Sequence, residues 1–293
     1  MAADPAEALA ALRRLSRGVP GDWTERALRI QAGEEEAAPA RDASTVVLLR
    51  DGREGLEAYL LRRVATMAFA AGMYVYPGGR VDPRDAELPV NAWDGPPADD
   101  WAGILHADAA VARALVCAAV RETFEESGVL LAGEHAGEVV VDTTGDDWET
   151  ERQALIDRSL SFASLLERRG LVVRADLLRP WAHWITPEAE PRRYDTRFFV
   201  AALPEGQRTR DVGGEADQVV WLRPQEALRR MADGDMFMMP PTAYTLAELS
   251  GYDTVDEVLE AGSRRDVKTV LPKIVVDADE TRLLLPHEEG YPA

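Results

Sequence analysis

Apolar positions recur along the chain in two periods, and the stretches between them are rich in glycine, proline and aspartate. Residues 44–50 and 56–62 are β-rich runs joined by Asp51-Gly52-Arg53-Glu54-Gly55, which predicts a hairpin. Tyr74-Val75-Tyr76 leads into Pro77-Gly78-Gly79, a loop with unusual backbone freedom. Residues 82–105, rich in Asp, Pro and Trp, read as an inserted surface loop. A long helix is expected over 108–127, with Gly128 at its left-handed end and Val116, Cys117, Val120 and Phe124 as its apolar stripe. A second helix is expected over 148–169, capped by Asp146-Asp147-Trp148-Glu149 and ended by Gly170; Leu155, Ile156, Phe162, Ala163 and Leu166 form its buried face. Strands follow at 181–185, 196–203 and 218–222, then a short helix over 224–232 and a helical segment around 242–262. Ahead of the hairpin, 5–16 reads as a helix and 32–40 as an Ala/Glu/Pro-rich link.

Strands and helices mix without regular alternation, so the fold expected is an α/β/α sandwich on a mixed β-sheet, with extra helices from insertions and the C-terminal segment. The expected division is an N-terminal helix and linker (1–40), a main domain (41–232) with insertions at about 82–105 and 133–180, and a helical extension (233–293) packed on the same domain.

Composition narrows the function. With 293 residues, 46% hydrophobic and 29% charged, the chain can bury a sizeable core. A formal net charge of −19 opposes binding to long nucleic acids, which depends on Lys and Arg. It leaves room for a small anionic substrate neutralised locally by arginines and a bound cation. The single cysteine, Cys117, permits neither an intrachain disulfide nor a Cys-rich zinc site. No signal-like segment opens the chain and no apolar run is long enough to span a bilayer, so a cytoplasmic protein without membrane contact is expected.

The chemistry concentrates in Arg121-Glu122-Thr123-Phe124-Glu125-Glu126-Ser127-Gly128-Val129. On a helix Glu122 reaches Glu125 and Glu126 at i+3 and i+4, so three carboxylates share one face while Phe124 turns to the core. Such a cluster repels itself and, at a helix C-terminus, opposes the macrodipole. A hard divalent cation offsets that cost; magnesium takes carboxylate, water and phosphate oxygens in octahedral geometry. A solvated acidic face is the plain alternative for any Glu pair in so acidic a chain.

With Gly79 upstream, these residues resemble the Nudix box: Gly, five residues, Glu, seven residues, then Arg-Glu-U-x-Glu-Glu-x-Gly-U with U apolar. Here Thr123 stands at the first U. The resemblance implies the Nudix sandwich and magnesium- or manganese-dependent hydrolysis of a nucleoside diphosphate linked to another moiety. Two departures stand out. Gly79 and Arg121 have 41 residues between them where the pattern has thirteen, so the box carries an insertion. The first Glu has no clear counterpart: Asp85 lies at its distance from Gly79, Arg113 at its distance from Arg121. That Glu partners the box arginine in the family, so the departure touches the support of Arg121. The insertion, with Leu60-Leu61-Arg62-Arg63, the run Gly72 to Gly79, and Asp195-Thr196-Arg197-Phe198-Phe199, resembles the branch containing peroxisomal coenzyme A diphosphatases over about 43–248. The coenzyme A signature is matched in part, with Ala68 where an arginine is expected.

Roles follow. Glu125 and Glu126 are the expected metal ligands, Glu122 a ligand or base, and the Gly79 carbonyl a further ligand. Arg121 is an orienting ion pair, or else a surface pair with Glu125. Glu215, beside Gly213-Gly214, is the candidate for a further acid from a later loop, the alternative being a solvated loop carboxylate. Arg62, Arg63 and Arg80 are candidate phosphate forks; strand-end solubility is the alternative for the first two. Tyr76, with Tyr74, offers a base-stacking surface or core packing. His106, His135, His183 and His287 lack ligand spacing. Met236-Phe237-Met238-Met239 reads as core or as a lid over an apolar group such as an acyl chain. The expected partner is a small nucleotide, coenzyme A or an acyl derivative first and ADP-ribose or NADH second, with a homodimer as the assembly considered. A nucleotide-sensing Nudix domain without catalysis and an acidic protein-binding scaffold are the readings from other classes.

Overall fold

The computed structural model describes residues 21–64, 70–210, 216–276, 281–286, 288 and 290–292. The helix expected at 5–16, the candidate Glu215 and His287, which has no assigned role, lie outside them. In chain order the elements are α1 (Gly21–Gln31), β1 (Arg41–Gly52), β2 (Gly55–Arg63), β3 (Tyr74–Val75), β4 (Gly78–Arg80), a 3₁₀ turn (Pro83–Glu87), β5 (Trp93–Asp94), α2 (Ala98–Leu105) and α3 (Ala109–Ser127). Then come β6 (Ala132–Gly133), α4 (Asp146–Ile156), α5 (Phe162–Arg169), β7 (Val172–Arg174), β8 (Arg179–Ile185), β9 (Tyr194–Ala202), β10 (Ala216–Leu222) and α6 (Pro224–Ala232). The last are α7 (Pro240–Leu249), α8 (Val255–Ser263), β11 (Thr269–Val270), β12 (Lys273–Val276) and β13 (Thr281–Leu284).

The main sheet runs β10-β2-β1-β9-β8-β11, with β3 on β2 and β4 on β1. β1 pairs β9 and β8 pairs β11 in parallel while the remaining pairs are antiparallel, so the sheet is mixed as expected. Along β1, Val46 and Leu48 belong to one core and Val47 and Leu49 to another. Both faces of the central strand are therefore covered, which is why it reads as a continuous apolar run. One core is closed by α2 to α5, the other by α6 to α8.

The long helix forms where its signals put it. The Asp108 side chain accepts from the Val111 amide, and Gly128 sits at φ 75 with its amide bonded to Phe124 O. Ser44 Oγ donates to Leu115 O at 2.6 Å, tying the helix to the central strand.

Three expectations need correction. The predicted helix 148–169 is two helices. The chain leaves α4 through Arg158 at φ 59, and the Ser161 side chain accepts from the Ser164 amide to start α5. Ile156 is left 42% exposed rather than buried. Residues 82–105 are not a surface loop: the 3₁₀ turn is closed by a capping box between Asp82 and Asp85, and Trp101 and Leu105 of α2 enter the core. The segment 242–262 breaks between α7 and α8, where the Thr254 side chain accepts from the Glu257 amide. Beyond α8 the chain returns to strands, and Ile274 of the β12–β13 hairpin packs on Ala27 of α1, a helix with no counterpart in the sequence reading. Among the described residues no single helix is long and apolar enough to cross a membrane.

Candidate active site

The last turn of α3 carries Glu122, Glu125 and Glu126, and β4 lies against it. Gly79 pairs with Ser44 of β1, and a Cβ on Gly79 would stand 2.5 Å from Glu122 Oε1. Only glycine lets the strand approach the carboxylate so closely. The Gly78 amide donates to Glu126 Oε2 at 2.8 Å.

Arg121 organises the cluster. Its Nε and Nη2 donate to Asp85 Oδ1 and Oδ2, both at 2.9 Å, in a bidentate pair. Nη1 donates to Glu122 Oε1 at 2.7 Å and Glu125 Oε1 at 3.1 Å, and Nη2 also to Arg80 O at 3.0 Å. All five guanidinium N–H groups are thus used. The plain surface pair with Glu125 is therefore not the arrangement found; Arg121 is a buried hub. Asp85, only 2% exposed, supplies the missing partner. The sequence placed it at the family spacing from Gly79 but could not show that the chain returns it to Arg121.

Burial pushes the Glu122 carboxyl up to about 7; Arg121 opposes that shift and the Glu125 charge adds to it. Burial likewise raises Glu125, again against Arg121. Burial works against the Arg121 charge, yet its bonds to Asp85 and the surrounding carboxylates raise its pKa and keep it cationic.

A second cation that sequence reasoning missed serves the end of the helix. Arg152 of α4, 1% exposed, donates Nη1 to Glu125 O at 2.6 Å and binds Glu149 through Nε and Nη2. Glu149 also pairs with Arg210 at 3.2 Å, whose own amide donates to Ser127 O. The negative end of the α3 dipole is therefore met by arginine. No periodicity signals that contact, because it depends on how α4 docks.

A cleft of about 920 Å³ opens over this turn, within the range of small-molecule sites. It reaches Arg63 and Arg80 of the candidate phosphate forks. Arg62 points elsewhere and pairs with Asp217 at 2.7 Å, because alternate strand residues face opposite ways. Tyr76 is cleft wall rather than a free stacking platform: it is buried and its hydroxyl donates to Thr242 O. Tyr74 is buried too, its hydroxyl bonded to Gln218 Oε1. Of the methionine run, Met236 and Met238 are core and Met239 lines the cleft. His183 bonds Asp195 and Thr269, His106 bonds Val267 O, and His135 pairs with Asp94.

Among the described residues no three His, Cys, Asp or Glu side chains form a ready metal cage; Glu122 and Glu125 are instead turned to Arg121. The donor set still fits a hard cation. Magnesium needs one or two carboxylates, its other positions going to water and substrate oxygens. Glu122, Glu125 and Glu126 supply such oxygens on one helical turn beside the backbone of Gly79.

Comparison with known proteins agrees with this geometry. Residues 98–249, just over half the chain, match the family model described as the NUDT19 Nudix domain. The acyl-coenzyme A diphosphatase NUDT19 of Gallus gallus is 27% identical over 278 residues, covering 80% of this chain and 73% of the relative. Its Homo sapiens counterpart is 25% identical over 277 residues, covering 81% and 73%. Among solved structures, a Nudix hydrolase from Alicyclobacillus acidocaldarius aligns with a TM-score of 0.67 and 29% identity, over 76% of this chain and 96% of that one. The chain belongs to the NUDT19 Nudix domain family, and it is a Nudix pyrophosphohydrolase.

Proposed function

We propose that this enzyme cleaves the pyrophosphate of coenzyme A and its acyl thioesters, with magnesium or manganese as the activating ion. The observation that carries the reading is the acidic last turn of α3 pressed against Gly78 and Gly79 at the floor of the cleft, in a chain whose relatives are acyl-coenzyme A diphosphatases. When bound, a divalent cation neutralises the pyrophosphate oxygens and makes water a better nucleophile. Glu125 and Glu126 are the residues that would hold it, with the Gly79 carbonyl; Glu122 serves as a further ligand or as the base for the attacking water. Arg121 keeps the carboxylates in register and prevents their mutual repulsion from unwinding the turn. Arg63 and Arg80 offer cations to the phosphates along the cleft wall.

The test is magnesium- and manganese-dependent hydrolysis of a panel of coenzyme A, acyl-coenzyme A, ADP-ribose and NADH, with Glu125→Gln and Glu126→Gln in parallel. Release of phosphopantetheine and adenosine bisphosphate from coenzyme A, lost in both variants, supports the reading. Activity confined to ADP-ribose or NADH would remove the coenzyme A assignment.

A further inference from the structure

The cleft bends around β4. Successive residues of a strand face opposite sides, so Gly79 meets Glu122 while Gly78 and Arg80 belong with the other face of the sheet. On that face the strand pairings line up two rows: Arg80, Ala43, Thr196, Trp184 and Gly78, Thr45, Phe198, Ala182. At about 4.8 Å per strand, the cleft floor extends about 14 Å from β4 to Trp184. Beyond β4 neither row holds a charged side chain, and the side-chain hydrogen-bonding groups within the rows nearer than Trp184 are the hydroxyls of Thr45 and Thr196; Tyr194 of the next row also lines the cleft. Met239, Pro240 and Leu283 also line the cleft, together with the polar Thr186 and Glu190. On the Glu122 side the cleft is lined by Arg84, Arg152 and Arg158, with Leu155, Leu160 and Phe162 beside them.

The two arms thus differ in chemistry and meet where the pyrophosphate would be cut. We infer that the sheet-side arm holds the pantetheine and acyl half of the substrate, with the acyl chain seated against Trp184, Met239, Pro240 and Leu283. The inference rests on the coenzyme A reading above. An arm of linked amides as long as four or five extended peptide residues spans roughly 15 Å. That length carries a thioester from β4 to Trp184. The two threonine hydroxyls suit amides on the way, and the aliphatic walls beyond suit methylenes. The arginines of the other arm suit a phosphorylated nucleoside.

The experiment is kcat/KM for free coenzyme A and for saturated acyl-coenzyme A from two to twelve carbons, in the wild type, Met239→Leu, Met239→Asp and Leu283→Asp, with melting curves to confirm folding. The wild type and Met239→Leu should show kcat/KM rising with chain length, by at most about fourfold per methylene buried, to a plateau. Met239→Asp and Leu283→Asp should flatten that rise. A wild-type profile independent of chain length would overturn the acyl arm and leave coenzyme A cleavage standing. An equal loss on free coenzyme A, ADP-ribose and acyl substrates in both aspartate variants would place the nucleoside in this arm and also overturn it. Cleavage of ADP-ribose with no coenzyme A substrate turned over would remove the coenzyme A reading itself.

Discussion

Replacing Asp85 by asparagine isolates the ion pair that closes the interrupted box. The carboxylate is 2% exposed, accepts two charged hydrogen bonds of 2.9 Å from Arg121, and accepts the Asp82 amide at 2.8 Å. Asparagine keeps the shape and one acceptor but removes the charge. It also sets an amide NH₂ against one of the guanidinium donors. Removing one member of a buried pair destabilises by about 3–5 kcal/mol. Arg121 retains Glu122, Glu125 and Arg80 O, so the lower end, about 3 kcal/mol, is expected. In a chain of this size that lowers Tm by roughly 6 °C or more. Urea unfolding of Asp85→Asn, Arg121→Met and the double variant supplies the coupling energy directly. Activity should fall with stability, because Arg121 freed from Asp85 is drawn further onto the carboxylates proposed to hold the metal. A loss below about 1 kcal/mol with unchanged kcat/KM would refute the hub role, since exposed pairs contribute that little.

Gly79→Ala should lower kcat more than tenfold with little change in Tm. The new Cβ, 2.5 Å from Glu122 Oε1, displaces a movable side-chain end rather than backbone; a large loss of Tm with normal kcat would contradict this. Glu122→Gln, measured in chelator, should stabilise the protein at pH 8 and not at pH 5. The Glu122 pKa rises on folding from 4.5 to about 7, so the wild type loses stability as pH climbs through that window and carries the full penalty above it, at most about 3 kcal/mol. An equal difference in urea midpoint at both pH values would count against a buried carboxylate. Arg152→Lys keeps the charge but not the fork that binds Glu149 while reaching Glu125 O. It should lose about 2 kcal/mol and raise the metal concentration for half-maximal activity; wild-type values for both would show that α4 docks without it.

What the sequence determined by itself was local. Asp108, Gly128 and the apolar stripe between them set the long helix, because caps and periodicity act within a turn or two of where they are written. The i+3 and i+4 spacing put Glu122, Glu125 and Glu126 on one face for the same reason, and Pro224 opens α6 where it was expected. Tertiary structure decided the rest. Residues 148–169 carry enough helical periodicity for one helix, but Ser161 offers a competing cap, and packing settles between them. Asp85 reaches Arg121 only because α2 folds back against α3 and Trp101 anchors it in the core. Arg152 reaches the end of α3 from α4, whose sequence names no partner. The cleft acquires two arms because strand pairing sets Gly79 and Gly78 on opposite faces of one short strand. Local signals fix the direction of a side chain relative to its own backbone; which distant group it meets depends on the packing of whole elements, and here that packing assembles the site.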